Sequence, residues 1–120
     1  MGAVLIIDDD KEQRQRCKKL LKENGIDYLE APNALEVGNI LMRELSNIDL
    51  ILLDLQMPDV DGKDIFEIIQ LYTNKKPVMV TSVLPINDQK LRVSRARDYF
   101  KKSDGDDILL KKIKLILGME

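Results

Sequence analysis

The stretch "DLILLDLQMPDVDG", residues 49–62, decides the fold. Its first part, Leu50–Asp54, is almost continuously apolar and ends in a carboxylate. This pattern is typical of a strand that is covered on both faces in a parallel sheet. Such a strand places Asp54 at its carboxyl end, where the chain leaves the sheet.

The second part of the stretch predicts a sharp turn before the next helix. Pro58 fixes its own φ angle, and Gly62 permits a positive one. Asp59 and Asp61 are residue types that favour turn and N-cap positions, respectively. The turn is therefore expected to leave Asp54 facing outward at the edge of the sheet.

Short apolar runs alternate with helical patterns five times along the chain. Five βα units predict an α/β fold, a doubly wound five-stranded parallel sheet with helices on both faces, because such crossovers are right-handed. The run "IDYLEA" is more mixed than the others, which suits an edge of the sheet. The predicted strands are Ala3–Asp8, Ile26–Ala31, Leu50–Asp54, Pro77–Ser82 and Asp98–Lys101.

Capping residues and apolar spacing indicate the helices. The first predicted helix covers residues 10–24, with Asp10 facing outward at its start and Gly25 marking its end. Asn33 suits the N-cap of the second helix. The remaining predicted helices carry Ile65, Ile68, Ile69 and Tyr72, cover Asn87–Ala96 with a weak pattern, and carry Leu109, Ile113 and Ile116.

Length and composition predict one globular domain, residues 1–120. Hydrophobic residues make up 44% and charged residues 33% of the chain, and the net charge is −2, so no basic field favours nucleic acid. No apolar run approaches the ~18 residues of a membrane span, and the early first strand leaves no room for a signal peptide. We therefore expect a cytoplasmic protein. Cys17 is alone and the chain has no His, which excludes a zinc site of the usual kind and favours a small apolar role for Cys17.

Chemically active side chains stand where the predicted strands end. Asp8 and Asp9 follow the first strand, Asp54 ends the third, Thr81 closes the fourth and Lys102 follows the fifth. Ligands of open parallel sheets bind at this edge, and clustered carboxylates suit Mg²⁺ or Mn²⁺. With a lysine and a hydroxyl, the set favours metal-assisted phosphoryl chemistry over the alternative that each residue is merely a solvated loop residue.

The pattern resembles a two-component response regulator receiver domain. The matching segments are "LIIDDD", "LLDLQMPDVDG", "VMVTS" and "DYFKK", with order and spacing kept over the whole chain. The resemblance implies the flavodoxin-like strand order 2-1-3-4-5. It also implies that Asp54 takes a phosphoryl group from a histidine kinase or phosphotransfer protein, with no turnover of external substrate. Asp9 would bind Mg²⁺ directly, Asp8 would support it, and Asp54 and the Gln56 backbone carbonyl would complete the protein ligands.

The same resemblance implies a switch. Lys102 would pair with a phosphoryl oxygen, Thr81 would donate to another, and Tyr99 would rotate inward behind Thr81, changing the face around the fourth and fifth helices. Two departures bear on it. Ser103 stands where the family usually has proline after the lysine, and a cis bond to serine would cost ~2.5–4 kcal/mol. Arg95-Ala96 replaces a common Gly-Ala pair.

Two surface features leave alternatives open. Val83 either shields the acyl phosphate from water or only packs. The last helix has more apolar residues than one buried stripe needs, from Ile108 to Leu117, so with Val83–Pro85 it forms either a homodimer or output-partner face, or a broadly buried terminal helix. Neither a membrane nor nucleic acid is an expected partner.

Other classes of protein compete with the receiver interpretation. Asp8-x-Asp10 resembles the acid pair of haloacid-dehalogenase-type phosphatases, although Glu12 stands where that family has Thr or Val. A degenerate receiver, acting as a phosphorylation-independent interaction module, is a further alternative. A nucleotide-binding module is disfavoured because neither glycine-rich phosphate motif occurs.

Overall fold

The computed structural model describes residues 2–58 and 60–119, in which strands and helices alternate. The strands are β1 (Ala3–Ile7), β2 (Tyr28–Ala31), β3 (Ile48–Asp54), β4 (Val78–Ser82) and β5 (Asp98–Lys101). The helices are α1 (Lys11–Glu23), α2 (Ala34–Glu44), α3 (Gly62–Tyr72), α4 (Ile86–Arg92) and α5 (Asp106–Leu117). Short 3₁₀ turns cover Leu45–Asn47 and Lys102–Asp104.

The five strands form one parallel sheet in the order β2-β1-β3-β4-β5. This confirms the predicted doubly wound α/β fold and its strand order. The mixed strand β2 lies at an edge, as its sequence indicated. The strand order changes direction between β1 and β3. Because these strands are parallel, their carboxyl ends lie side by side at this switch point, which is the position where open sheets bind ligands.

Alternate residues of the central strands face two separate cores. Leu5 and Ile51 pack on the side of α2, α3 and α4, while Val4 and Leu50 pack on the side of α1 and α5. All four side chains are fully buried. The sheet is therefore a rigid layer between two helical layers, and it fixes the positions of the residues that follow each strand.

Side-chain caps begin three of the helices as the sequence predicted. Asp10 Oδ1 accepts from the Glu12 N–H at 2.9 Å at the start of α1. Asn33 Oδ1 accepts from the Glu36 N–H of α2, and Asp61 Oδ1 accepts from the Lys63 N–H of α3. The turn role predicted for Asp59 falls outside the described residues.

Glycine is required where α3 begins. A Cβ atom on Gly62 would lie 2.7 Å from the Leu55 Cα atom, closer than any real contact of this kind. The start of α3 is thus pressed against the segment that leaves β3. This close approach fixes the direction of the chain directly after Asp54.

Several predicted boundaries were wrong by a few residues. β2 begins at Tyr28 because the Ile26 N–H is held by the Leu21 carbonyl in the turn after α1. β3 begins earlier, at Ile48, which pairs with Ala3. Strand β1 ends at Ile7 and β4 begins at Val78, one residue inside the predicted limits.

The fourth helix was predicted over 87–96 but covers only Ile86–Arg92. Val93 leaves the helix with extended backbone angles and is buried. Its carbonyl accepts a hydrogen bond from the Tyr99 hydroxyl. Burial of Val93 and its hydrogen bond to Tyr99 therefore end the helix before the predicted residues 93–96.

Three further structural facts bear on the sequence analysis. Within residues 2–58 and 60–119, no helix is long and apolar enough to cross a bilayer. The same residues contain no cis peptide bond, so Lys102–Ser103 is trans. Cys17 lies on α1 and packs against the core, in agreement with the small apolar role predicted for it, and burial raises the pKa of its thiol to about 12.

Candidate functional site

Three carboxylates meet at the carboxyl edge of the sheet. One oxygen from each of Asp8, Asp9 and Asp54 lies within 4.8 Å of the others. Asp8 and Asp54 are buried, with exposed fractions of 6% and 3%, whereas Asp9 is exposed. They meet because β1 and β3 are neighbours in register, so their ends coincide.

Lys102 reaches this cluster from the end of β5, the strand at the opposite edge of the sheet from β2. Its Nζ atom lies 3.4 Å from Asp8 Oδ2 and 3.4 Å from Asp54 Oδ1. The lysine follows β5, which is separated from β3 by β4. One ammonium group is therefore shared by two buried carboxylates, and the cluster of three acids keeps an excess of negative charge.

The two oxygens of Asp54 differ in their contacts. Oδ1 accepts from the Gln56 N–H at 3.1 Å and faces the Lys102 ammonium. Among residues 2–58 and 60–119, no group donates to Oδ2. Asp54 thus has one anchored oxygen and one oxygen that is free to react.

Burial dominates the electrostatics of Asp54. The pKa of its carboxyl is raised from 3.8 to about 6, mainly because burial removes water from the charged form and in smaller part because of the negative charge of Asp8. Lys102 and the Gln56 N–H act in the opposite direction. At neutral pH the group is largely ionised, but its charge is poorly compensated by the protein alone.

Thr81 stands beside the acid cluster. It pairs with Asp54 in the β3–β4 register, and its side chain is half-buried. Ser82, the next residue, is buried and instead accepts from the Leu84 N–H at 3.1 Å. The hydroxyl at the site therefore comes from Thr81, while Ser82 holds the loop that follows β4.

Tyr99 lies on the inner side of α4. It is buried, its hydroxyl donates to the Val93 carbonyl, and the Lys90 ammonium lies 5.7 Å from the centre of its ring. The Tyr99 ring is therefore buried in this structure, and its rotation on phosphorylation stays a prediction.

Two nearby residues have different surroundings. Asp10 lies outside the carboxylate cluster, since its side chain caps α1. The Gln56 side chain is exposed, and its backbone N–H anchors Asp54. Gln56 also forms an isolated bridge with Asp61, which closes the turn before α3.

Sequence reasoning missed Arg14, which supports the site from α1. Its guanidinium donates to the Asp8 backbone carbonyl at 2.8 Å and pairs with Glu30 at 3.1 Å. Hydrogen bonds from Lys18 and then Arg14 lower the pKa of Glu30. No local signal in the sequence distinguishes Arg14 from the other charged residues of this helix.

Gln89 on α4 was also missed, although it is fully buried. Its spacing gives a partial signal, because it follows Ile86 by three residues and precedes Val93 by four, which is the spacing of one face in the helix that the sequence predicts. A polar residue at such a position indicates a buried hydrogen-bonding role.

The cluster fits a divalent cation of the magnesium type. Three carboxylates within 4.8 Å of one another provide hard oxygen ligands. Within the part of the chain that the structure describes, one ammonium group balances them at close range. A small, strongly charged ion would offset the remaining repulsion better than water can.

The comparisons with known proteins agree on one family. The family described as "Response regulator receiver domain" matches residues 4–114. The transcriptional regulatory protein CpxR of Escherichia coli (strain K12) is 30% identical over 118 residues, covering 98% of this chain and 50% of that protein. The cell cycle transcriptional regulator CtrA of Caulobacter vibrioides is 28% identical over 116 residues, covering 95% of this chain and 49% of that protein. The chain thus spans about half the length of the curated relatives it matches.

Solved structures give the same answer. A two-component response regulator from Clostridium difficile matches with a TM-score of 0.87 and 30% identity, covering 98% of this chain and 96% of that one. The response regulator TrrA from Thermotoga maritima was solved in complex with Mg(2+)-BeF. It matches with a TM-score of 0.81 and 27% identity, covering 97% of this chain and 99% of that one. This chain therefore belongs to the response regulator receiver domains of two-component signalling systems.

Proposed function

We propose that Asp54 is the phosphoacceptor of this domain and that a histidine kinase or phosphotransfer protein supplies the phosphoryl group. The observation that carries the proposal is the position of Asp54, buried between Asp8 and Lys102 with Oδ2 free of protein donors. The other acids lack this combination. Asp9 is exposed, and Asp10 is occupied in capping α1.

The reaction uses the unprotonated carboxylate of Asp54. Oδ2 attacks the phosphorus atom of a phosphohistidine, the P–N bond breaks, and its electron pair returns to the imidazole. The product is an acyl phosphate on Asp54. With a pKa of about 6, Asp54 is ionised at neutral pH, and the weak compensation of its charge favours its use as a nucleophile.

Lys102 stabilises the charge that arrives with the phosphoryl group. Its Nζ atom lies 3.4 Å from each of two carboxylates, longer than a good charged hydrogen bond. The ammonium can therefore turn from Asp54 to a phosphoryl oxygen at little cost. The trans bond to Ser103 and the 3₁₀ turn that follows keep Lys102 at the carboxyl edge of β5.

Mg²⁺, or Mn²⁺ in its place, would be held by Asp8, Asp9, Asp54 and the Gln56 backbone carbonyl. When bound, the ion supplies positive charge against the phosphoryl oxygens and the clustered acids. Asp8 is oriented for this task, since its Oδ1 accepts from the Asp10 N–H at 2.9 Å. Arg14 supports the same residue through its backbone carbonyl.

We propose that Thr81 responds to the phosphorylation of Asp54. In the sheet it is the register partner of Asp54, so its hydroxyl can donate to a phosphoryl oxygen after a small movement. The loop from Val83 to Pro85 follows Thr81 and leads into α4. Movement of Thr81, with Tyr99 packed behind it, would change the face formed around α4 and α5.

That face is the proposed contact for a second copy or an output partner. Leu91 on α4 and Leu115 on α5 are 85% and 77% exposed, and Val83 is 58% exposed. Large apolar side chains at this exposure favour a partner over the alternative of a broadly buried last helix. The domain itself is proposed to act in the cytoplasm, without nucleic acid or membrane contact and without turnover of external phosphoesters.

The phosphatase alternative loses its main support from the structure. It needs Asp8 and Asp10 to act together, but the Asp10 carboxylate accepts from backbone N–H groups of α1. The degenerate-receiver alternative makes a different prediction, since such a module would not gain a phosphoryl group.

Acetyl phosphate tests the proposal without knowledge of the kinase. We expect the protein to gain one phosphoryl group, seen in its intact mass, when acetyl phosphate and Mg²⁺ are present. EDTA and the Asp54→Asn variant should each abolish the gain. Asp10→Asn is the matched control, because Asn also caps helices, and it should be modified normally. An unmodified wild-type protein would support the degenerate module instead.

A further inference from the structure

Gln89 is a buried polar residue on a helix whose other residues are half-buried or exposed. Its Nε2 atom donates to the Leu84 carbonyl at 2.9 Å and to the Phe100 carbonyl at 3.0 Å. One side-chain amide therefore joins α4 both to the loop that precedes it and to β5. Since β5 is an edge strand, part of its backbone has no strand partner, and Gln89 satisfies one such carbonyl.

Both carbonyls belong to segments that carry site residues. Leu84 is three residues past Thr81, and its N–H donates to Ser82 Oγ at 3.1 Å, which ties the loop to the end of β4. Phe100 pairs with Thr81 in the sheet register and lies two residues before Lys102. Gln89 thus joins α4 by hydrogen bonds to the loop that follows β4 and to strand β5. Strand β4 brings the Thr81 hydroxyl, and β5 brings the Lys102 ammonium, to the phosphoacceptor.

The amide of Gln89 is only partly satisfied. Its Oε1 atom is buried and accepts no hydrogen bond within residues 2–58 and 60–119. An unmet buried acceptor disfavours the arrangement that contains it. The two donated bonds hold α4 in place, whereas the unmet oxygen reduces the free-energy difference between this arrangement and one in which the amide has other partners.

We propose that Gln89 is a positioning residue of the switch, which transmits the movement of Thr81 to α4. When the loop after β4 follows Thr81 towards a phosphoryl group, the Leu84 carbonyl moves and the amide exchanges partners. The helix then shifts with Gln89, because Gln89 is the one fully buried side chain of α4 and only the half-buried Ile86 packs against the core beside it. The inference rests on the proposed function, since Asp54 must accept the phosphoryl group for Thr81 to move.

The first test uses the unaltered protein. Beryllofluoride with Mg²⁺ mimics the phosphoryl group, and NMR reports the side-chain NH₂ signals of Gln89 directly. We expect these signals to shift together with the backbone amides of Thr81 and Leu84. Signals of Gln89 that stay unchanged while the Thr81 amide shifts would overturn the inference.

The second test separates transmission from chemistry. Gln89→Met keeps the length of the side chain and removes its hydrogen bonds, and Asn87→Met makes the same kind of change at an exposed position of α4. We expect both variants to gain a phosphoryl group on Asp54 at the wild-type rate. In Gln89→Met the beryllofluoride-dependent shifts of residues 86–92 should be lost, while those near Asp54 remain.

The outcomes distinguish the two proposals. Full α4 shifts in Gln89→Met, or their equal loss in Asn87→Met, would contradict the role of Gln89 and leave the phosphoacceptor assignment intact. Absence of phosphorylation in the wild-type protein would instead overturn the proposed function and this inference with it. If Gln89→Met does not fold, the side-chain signals of the native protein still decide the question.

Discussion

Lys102 places a single ammonium between two buried carboxylates, 3.4 Å from each. Because it is the one cation at hydrogen-bonding range of the described acid cluster, its removal should expose the full repulsion between a phosphoryl group and the acids. We expect Lys102→Met to slow phosphorylation by acetyl phosphate by about 10²-fold, the size of effect seen when one transition-state donor is removed.

Lys101→Met is the matched control for that variant, since Lys101 ends β5 with similar burial but pairs with neither carboxylate. The rate is measured from the time course of intact mass. A Lys102→Met protein that is phosphorylated as fast as the control would remove Lys102 from the proposed chemistry.

Asp54 should make stability depend on pH in the absence of divalent cations. Its folded pKa of about 6 lies above the ordinary 3.8, so the folded state holds this proton more tightly than the unfolded state. The contribution of Asp54 to wild-type stability therefore falls as pH rises from about 4 to about 6. We expect Asp54→Asn to be more stable by roughly 1–3 kcal/mol at neutral pH, with part of the gain offset by loss of the Lys102 contact.

Urea unfolding in EDTA across this pH range checks the prediction. The advantage of Asp54→Asn should shrink as pH falls from about 6 to below about 4, where the wild-type carboxyl becomes protonated in both states. A constant advantage of Asp54→Asn at every pH would contradict the buried-charge explanation.

The residues at the site could be predicted to different extents. Asp8, Asp9, Asp54 and Lys102 follow strands directly, so the rule for parallel sheets placed them at one edge. Gln89 could not be predicted in this way. Its partners are backbone carbonyls five and eleven residues away, and only the packing of α4 on β5 brings them together.

At the scale of elements, the loop after β4 connects the site to α4. Val83 lies two residues past Thr81 and is 58% exposed, which is compatible with a side chain that covers the acyl phosphate rather than the core. We expect Val83→Asn to shorten the lifetime of the phosphorylated protein by several-fold, because a polar side chain admits and orients water.

The decay of phosphorylated protein after removal of acetyl phosphate measures this lifetime. Leu91→Asn serves as the control, since Leu91 is exposed on α4 away from the loop. An unchanged decay rate in Val83→Asn would show that Val83 only packs. A similar acceleration in both variants would point to a general loosening of α4.

Helix α4 also shows that the sequence pattern could not predict where this helix ends. The charges from Arg92 to Arg97 are compatible with a helix, and the pattern predicted one up to Ala96. The helix ends earlier because burial of Val93 and its bond to Tyr99 outweigh local propensity. By contrast, the caps of α1, α2 and α3 were predictable, since a cap depends on residues within one turn.

At the scale of the whole molecule, exposed apolar side chains on α4 and α5 predict association. Leu91 and Leu115 are the most exposed leucines of these helices. We expect light scattering to show a larger mass when beryllofluoride and Mg²⁺ are present than when they are absent. Leu115→Gln should reduce the difference, and Leu35→Gln on α2 should not. A monomer in both states would remove the homodimer proposal.

The central claim is that this receiver domain accepts its phosphoryl group on Asp54. Aspartyl phosphate is reduced by borohydride to homoserine, so reduction after treatment with acetyl phosphate and Mg²⁺ marks the modified residue for peptide mass mapping. The account predicts homoserine at position 54, in one copy per chain, and none at Asp8 or Asp9. Homoserine at another aspartate, or at none, would contradict it.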